Sequence, residues 1–577
     1  MNSQKNGCLI LLIILLSFEY SNSQVIGALQ KGITDKQVEQ LILDTRIKVN
    51  SILKKEVYLP GIAVAIVSRD KILLAEGFGY RDKLRRARVD SNTIFGILSV
   101  SKPVTVTGLM IAEQEGLLNF DVPIKNYLPG FTIQSRFNAD PMSEITIRHL
   151  ISMTSGLTHD APVGNNADPY SPSYESHIQS ISQTWLRFRT GEHAEYSNLG
   201  IELAAYCLEQ VIHKPFTEYI REKVFDPIGM NRSTYDFRKI ENDPNRAVGN
   251  NRNFDTVPLG NPMLAPGAVY SSISDMARFI QFHLNQGKIN GHEILQEKII
   301  NQMQTIPFRM QGQIAGYGQG LEITYYHLGG QDVRCIEHGG GGFGFRCQMK
   351  WMPELGYGVM VMTNSQDHNN VNENLTEEIL LKIVELVTGK KNSGPSDWLK
   401  RHVPLTTVGP GFLPDNLEGN YNGTNDDMKI LIRDSVLGYV SGTSFVPLKP
   451  VTPAEFVSGD YLYRFIIDIN GKSLSMVRPY DGMQWNISES KYEQKGPGKE
   501  IWRKYEGTYI RKRFGRAERF YIVKMNNGRL HFIGDGQDCV LNEFRPGMFY
   551  MPNGEVVDFS NKPSTYRNIK LYKTSTY

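Results

Sequence analysis

Thr93-Ile94-Phe95-Gly96-Ile97-Leu98-Ser99-Val100-Ser101-Lys102-Pro103-Val104-Thr105 is the stretch whose reading decides the fold of this chain. Thr93 to Leu98 has the apolar, β-branched character of a strand. Val104 to Gly116 (VTVTGLMIAEQEG) reads as an apolar helix. Serine is a weak nucleophile until a neighbour takes its proton. A lysine three residues on lies one turn away on the same helical face, and a desolvated lysine has a lowered pKa and acts as a base. Pro103 fits only if the helix begins close by. Ser99 then sits at the helix N-terminus, where the dipole favours developing negative charge. The same Ser-x-x-Lys spacing recurs at Ser51/Lys54, Ser68/Lys71 and Ser488/Lys491. Ser68/Lys71 falls on a hairpin turn and Ser488/Lys491 on a polar loop. Only Ser99 leads from a strand into an apolar helix.

Two further constellations carry chemistry. In Tyr196-Ser197-Asn198, a tyrosine near cations is placed to relay a proton, and Asn198 to donate to a substrate carbonyl or hold the lysine. In His338-Gly339-Gly340-Gly341-Gly342, glycines let a substrate lie along an edge strand and free a main-chain N–H for an oxyanion hole. Each also has a plain reading: a surface loop for the first, a flexible turn with an incidental histidine for the second.

Outward from these motifs, Asp35–Leu53 reads as an amphipathic helix and Gly61–Tyr80 as two strands around the turn Arg69-Asp70-Lys71. Phe343–Asn364 is another strand pair, and Leu375–Val387 a second amphipathic helix. One sheet therefore takes strands from both ends of a ~350-residue α/β (α+β) segment. After Val387 come the linker-like Gly389–Ser396 and Gly409-Pro410-Gly411. From Leu417 the chain is short β-type runs with a faint repeat: Leu417-Glu418-Gly419-Asn420-Tyr421 echoes Tyr505-Glu506-Gly507-Thr508-Tyr509, and Pro453 and Phe456 match Pro546 and Phe549 at the same offset. Either chance similarity or two related β modules, or the halves of one barrel, accounts for it. The expected division is 1–23 signal peptide, 24–390 mixed α/β domain, 391–416 linker and 417–577 β-rich domain, with halves 417–500 and 501–577.

The 577 residues suit two or three domains at roughly 100–200 residues each. A net charge of +3 gives nothing global for nucleic acid. Lys5 followed by the apolar run Cys8–Phe18 and the small residues Ser21-Asn22-Ser23 reads as a secretory signal. The run is shorter than the ~20 residues of a membrane span, so secretion, extracellular or periplasmic, is expected. The basic runs Lys83–Arg88 and Arg511–Arg513 read as solvated loops or as contacts for a polyanion. No Cys/His spacing fits zinc. Cys207, in Leu203–Ile212, reads as a buried small hydrophobe. Cys335 and Cys347 flank the glycine-rich turn, and a disulfide between them is a candidate in an oxidising compartment.

The three motifs stand in the order and approximate spacing of the serine β-lactamase and penicillin-binding-protein superfamily, whose elements are S-x-x-K, Y-x-N and K/H-x-G. The chain resembles that group, including its class C β-lactamase, peptidase S12, esterase and D-aminopeptidase-like members, from about Ile33 to Thr388. TIFGILSVSKPVT, ITIRHLISMTSGL, YSNLGIELAAYCLE, FDPIGM, APGAVYSSISDMARFI and EHGGGGFGFRCQMKWMPELGYGVMVMTN all look like family segments. The resemblance implies an antiparallel sheet flanked by helices, followed by an all-β, lipocalin-like or two-module barrel region. It implies an acyl-enzyme on Ser99, Lys102 as base or proton partner, Tyr196 in proton transfer, and substrate contacts from Asn198, His338 and Gly340. The N–H groups of Ser99 and Gly341 would form the oxyanion hole, with no metal and no cofactor. Histidine at 338, where well-known β-lactamases have lysine, resembles the esterases and D-amino-acid peptidases. It turns the expected substrate from β-lactams toward an ester or a peptide, including one with D-residues. The rival expectation is a family-fold extracellular matrix or biomineral-matrix protein without catalysis. The C-terminal appendage resembles modules that restrict access to the active site in D-aminopeptidase-like members.

Overall fold

The computed structural model describes residues 32–575, apart from 390–415, short segments at 169–171, 255–256, 310–312, 424–426, 442–443, 469–471 and 491–498, and residues 85, 314, 329, 330, 369 and 460. The expected signal segment and nearly all of the expected linker lie outside the described residues.

Helix α1 (Asp35–Lys55) opens with a capping box, Thr34 accepting from the Gln37 backbone N–H. Strands β1 (Gly61–Ser68) and β2 (Ile72–Gly79) follow. Helix α2 (Ser101–Gln114) holds Pro103 in its first turn, where a missing N–H costs nothing. Helices α3 (Asn198–Ile212) and α4 (Ile273–Leu284) come next, then β3 (Gly316–Tyr317), β4 (Glu322–Leu328), β5 (Gln331–Gly342), β6 (Phe345–Met352), β7 (Tyr357–Thr363) and α5 (Val371–Thr388). The strands form one antiparallel sheet in the order β2-β1-β7-β6-β5-β4-β3. Strand β1 lies between β2 and the last strand, β7, with Val64 opposite Glu76 on one side and Val361 on the other, so the sheet closes only when the chain returns.

Strand β1 shows how this sheet is buried on both faces. Ile62, Val64 and Ile66 face the layer of α1 and α5. Ala63, Ala65 and Val67 face the larger core that contains α2, α3 and α4. The β-branched side fills the space to the terminal helices, and the small side lets α4 lie close.

The register of β5 and β6 rules out the candidate disulfide. Cys347 stands opposite Gly340. Cys335 lies five positions further along β5, and because side chains alternate, an odd offset puts the two sulfurs on opposite faces. Cys335 packs in the α1/α5 layer and Cys347 in the other core. Both are free and buried, as are Cys207 and Cys539.

The C-terminal region is all β. Strands between Gly419 and Ser490 form a nine-stranded antiparallel sheet, and those between Gly507 and Ser575 close into an eight-stranded barrel. The sequence repeat is structural. Tyr421 Oη donates to Leu417 O and Tyr509 Oη to Tyr505 O, each at 2.8 Å. Glu418 accepts from the Ile432 N–H and Glu506 from the Met525 N–H, at 2.8 and 2.7 Å. Phe456 and Phe549 are each fully buried in their module's core.

The barrel is fastened to the α/β domain by a buried acid. Glu555, 1% exposed, accepts from Thr158 Oγ1 at 2.7 Å and pairs with Arg187 at 3.1 Å. Arg187 also stands 3.5 Å from Glu195, and its Nε donates to Asn553 O. Removing one partner of a buried pair leaves the other charge uncompensated. Glu555→Ala is expected to cost about 3–5 kcal/mol, read as a lower unfolding midpoint and faster proteolysis within residues 551–568.

Candidate active site

Ser99 sits at the turn between the short strand Ile94–Gly96 and α2. That turn is strained: Leu98, immediately before it, has φ +50°, a region unfavourable for a branched residue. Several contacts hold it. The Ile97 N–H donates to Val269 O, the Val269 N–H donates to Ser101 Oγ, and the Cys347 thiol donates to Ile97 O at 2.9 Å. The strain keeps the serine half-exposed over the helix N-terminus while its flanking residues are buried.

Lys102 Nζ lies 3.1 Å from Ser99 Oγ and 3.2 Å from Pro266 O. The side chain is fully buried. Burial disfavours its charge and brings its pKa down to about 7 from an ordinary 10.5, against the opposing pull of Glu202, Glu322 and Asp160. Tyr196 Oη donates to Ser99 Oγ at 2.9 Å, and the Lys102 ammonium lies 4.6 Å from the Tyr196 ring centroid. Burial moves the tyrosine the other way, raising its pKa well above 10. Near neutral pH the serine therefore meets a lysine that is partly neutral and a tyrosine that keeps its proton.

Asn198 begins α3, with Ser197 as its N-cap, Ser197 Oγ accepting from the Gly200 N–H. Asn198 is buried, and its amide donates to Met263 Sδ at 3.3 Å. His338 is brought to the site but does not open onto it. Its Nδ1 is 2.7 Å from Gly339 O and must carry the proton, so Nε2 accepts from Tyr317 Oη at 3.0 Å. Burial, with Lys102 close by, lowers its pKa to about 3. The imidazole is thus neutral rather than partly charged, and Tyr317 stands at its outer nitrogen. Tyr317 has no motif to announce it.

The glycines differ. A Cβ on Gly340 would lie 2.4 Å from Ile97 O and 2.6 Å from Cys347 Sγ, so β5 lies against the nucleophile turn only because this side chain is absent. Gly341 is exposed, and a Cβ there would meet nothing closer than Arg346 Cγ at 3.9 Å.

Behind the lysine lies a second buried carboxyl. Glu202, fully buried, is pushed up to about 8, chiefly by desolvation. It accepts from the Ala265 N–H, and so braces the Leu264–Gly267 turn whose Pro266 carbonyl holds Lys102. Its other oxygen is 3.6 Å from His177 Nε2. The barrel reaches this region through Thr158: its carbonyl accepts from Ser197 Oγ at 2.7 Å, while its hydroxyl donates to Glu555. Asn568 also donates to Asp160 O. Arg511 and Arg513 are not a solvated loop: both pair with Glu518, at 2.8 and 3.2 Å, beside the turn that packs Phe514 on Phe343.

A mixed sheet-and-helix domain that places a serine, a buried lysine and a tyrosine in mutual hydrogen-bond reach defines a protein of the serine β-lactamase and penicillin-binding type. The Beta-lactamase family matches residues 49–382, more than half of the chain, and the chain belongs to that family. The Staphylococcus aureus (strain MRSA252) protein called Protein flp is 24% identical over 357 residues, covering 60% of this chain and 66% of that relative, so the match spans just under two thirds of the relative's length. The octameric penicillin-binding protein homologue from Pyrococcus abyssi superposes with a TM-score of 0.50 at 22% identity, covering 78% of this chain and all of that one. SurE, solved with D-Leu, gives 0.53 at 18%, covering 80% and 99%. At these identities the superpositions establish the fold.

The two glycines are expected to respond differently to alanine. Gly340→Ala should force β5 away from Ile97 and lower the rate at which a fluorophosphonate modifies Ser99 by about 100-fold. Gly341→Ala, which keeps its N–H and has space, should stay within about threefold of wild type, because no neighbour has to move. The rates are read by timed labelling of folded protein.

Proposed function

We propose that this protein is a secreted serine hydrolase that works through an acyl-enzyme on Ser99. The observation that carries the reading is the three-way contact of Ser99 Oγ with Lys102 Nζ and Tyr196 Oη, at 3.1 and 2.9 Å. In this reading neutral Lys102 takes the Ser99 proton as Oγ attacks the carbonyl. The N–H groups of Ser99 and Gly341 receive the developing oxyanion. The proton then passes from Lys102 by way of Tyr196 to the leaving group. Water attacks the ester next, giving its proton back along the same path and restoring Ser99. The opposite shifts of the two side chains favour lysine as the base and tyrosine as a protonated relay.

The substrate class is an ester or a peptide, D-residues included. A neutral His338 with both nitrogens engaged offers no charge to a substrate carboxylate. That disfavours β-lactam hydrolysis. The apolar leader at Cys8–Phe18 supports export from the cell. A non-catalytic matrix role is disfavoured by the assembled Ser99, Lys102 and Tyr196 set, which a structural protein has no need to bury.

Two measurements test this. Fluorophosphonate labelling should map to Ser99 by mass spectrometry and vanish in Ser99→Ala. An unlabelled, folded wild type would sink the hydrolase reading. The acylation rate should rise with pH through an apparent pKa of about 7 and level off above it. The direction follows because Lys102 is inactive as a base when protonated and its folded pKa lies below its ordinary value. A limb near 10 instead would place the base elsewhere.

A further inference from the structure

A cavity of about 580 Å³ lies away from Ser99, at the seam between the hydrolase domain and the C-terminal barrel. That is the size of a small-molecule site. One wall comes from residues 135–137 and 185–193, the other from 544–554, with Asn486 at the edge.

Its lining is built from arginine and aromatic rings. The Arg136 guanidinium lies 4.1 Å from the Tyr550 ring centroid, and that of Arg545 4.5 Å from the Trp185 centroid. Trp185 meets Phe544 edge-on at 5.0 Å. These are planar surfaces against which another flat group can stack. Neither Arg136 nor Arg545 forms an ion pair among the described residues, and Glu192 is the one carboxylate in the described lining. Arg187, the third arginine of the lining, is already balanced by Glu555 and Glu195.

Four buried nitrogens of this lining make no hydrogen bond among the described residues: Arg136 Nε, His193 Nδ1, Asn553 Nδ2 and Arg187 Nη2, the last standing 3.5 Å from Glu195 as an ion pair. His193 and Asn553 are more than nine-tenths buried. The Arg136 Nη2 group is directed to the carbonyls of Arg187 and Gly554, at 3.1 and 3.5 Å, which fixes the guanidinium across the seam. Buried polar groups without partners are costly, and all of these belong to residues that line this one cavity.

We propose that this cavity is a second ligand site, separate from Ser99, for a small molecule that joins an oxyanion such as a phosphate, sulfate or carboxylate to a flat ring. The oxyanion is held by Arg136 with Arg545 at the mouth, and the ring lies among Trp185, Phe544 and Tyr550. Because the two walls belong to different domains, the ligand bridges hydrolase domain and barrel. The site does not depend on the hydrolase reading.

Isothermal titration of the full chain with phenyl phosphate tests the proposal, with orthophosphate and phenol as comparison ligands. One phenyl phosphate should bind per chain, about tenfold or more tighter than orthophosphate, and phenol should not bind measurably. Ser99→Ala should leave that affinity unchanged. Arg136→Gln and the surface variant Arg545→Gln should each weaken it about tenfold, the worth of one charge-assisted contact. If Arg136→Gln fails to fold, Arg545→Gln alone decides. No saturable binding, equal affinity for orthophosphate and phenyl phosphate, or wild-type affinity in the folded arginine variants overturns the proposal.

Discussion

The burial of one lysine is the constraint on which the rest of this structure depends. Lys102 sits one helical turn from Ser99 with no exposed surface. A lysine left in water would be charged and useless as a proton acceptor near neutral pH. Holding it dry requires α3 to pack against α2, which carries it, and the Leu264–Gly267 turn to supply a carbonyl instead of a carboxylate. A carboxylate touching Nζ would restore the charge that burial removes. Glu202 stays one step back, bracing that turn through Ala265, and its own burial keeps it largely neutral.

The sheet serves the same end. Strand β5 must lie against the turn at Ile97 and Leu98, and glycine at 340 is what permits the approach. The cost is a strained Leu98 and a run of residues with few side chains to pack. The compensation is on the other face, where β1, β7, α1 and α5 form an apolar layer of their own. A strained edge is thereby mounted on a stiff support.

Much of this was legible in the chain. Ser99, Lys102 and Tyr196 announce themselves because their chemistry needs particular residue types at particular places, and the structure brings all three together. Helices α1, α2 and α5 and the strand pairs β1/β2 and β6/β7 follow from the apolar pattern, whereas β3 to β5 do not, and the β repeat follows from the Glu418/Glu506 and Tyr421/Tyr509 pairs. Other features were hidden for physical reasons. Pro266 contributes only a carbonyl, which any residue has. Tyr317 acts from a two-residue strand. Glu555 matters through partners some four hundred positions upstream. The candidate Cys335–Cys347 bond is absent because proximity to a turn says nothing about which face of a sheet a side chain takes. Arg511–Arg513 looked solvated because Glu518, which pairs with its two arginines, lies across a hairpin.

The reach of Glu555 has a consequence for how the protein is made. A ribosome delivers the nucleophile segment about 450 residues before the Asn553–Asn568 stretch. Until that stretch arrives, the Thr158 hydroxyl, Arg187 and Asp160 lack their partners from the barrel, and the wall that carries Tyr196 lacks its outer support. Translation order thus acts as a timer. A nascent chain held partway through synthesis exposes Ser99 in an unfinished setting, and the finished setting appears only after the Asn553–Asn568 stretch has emerged.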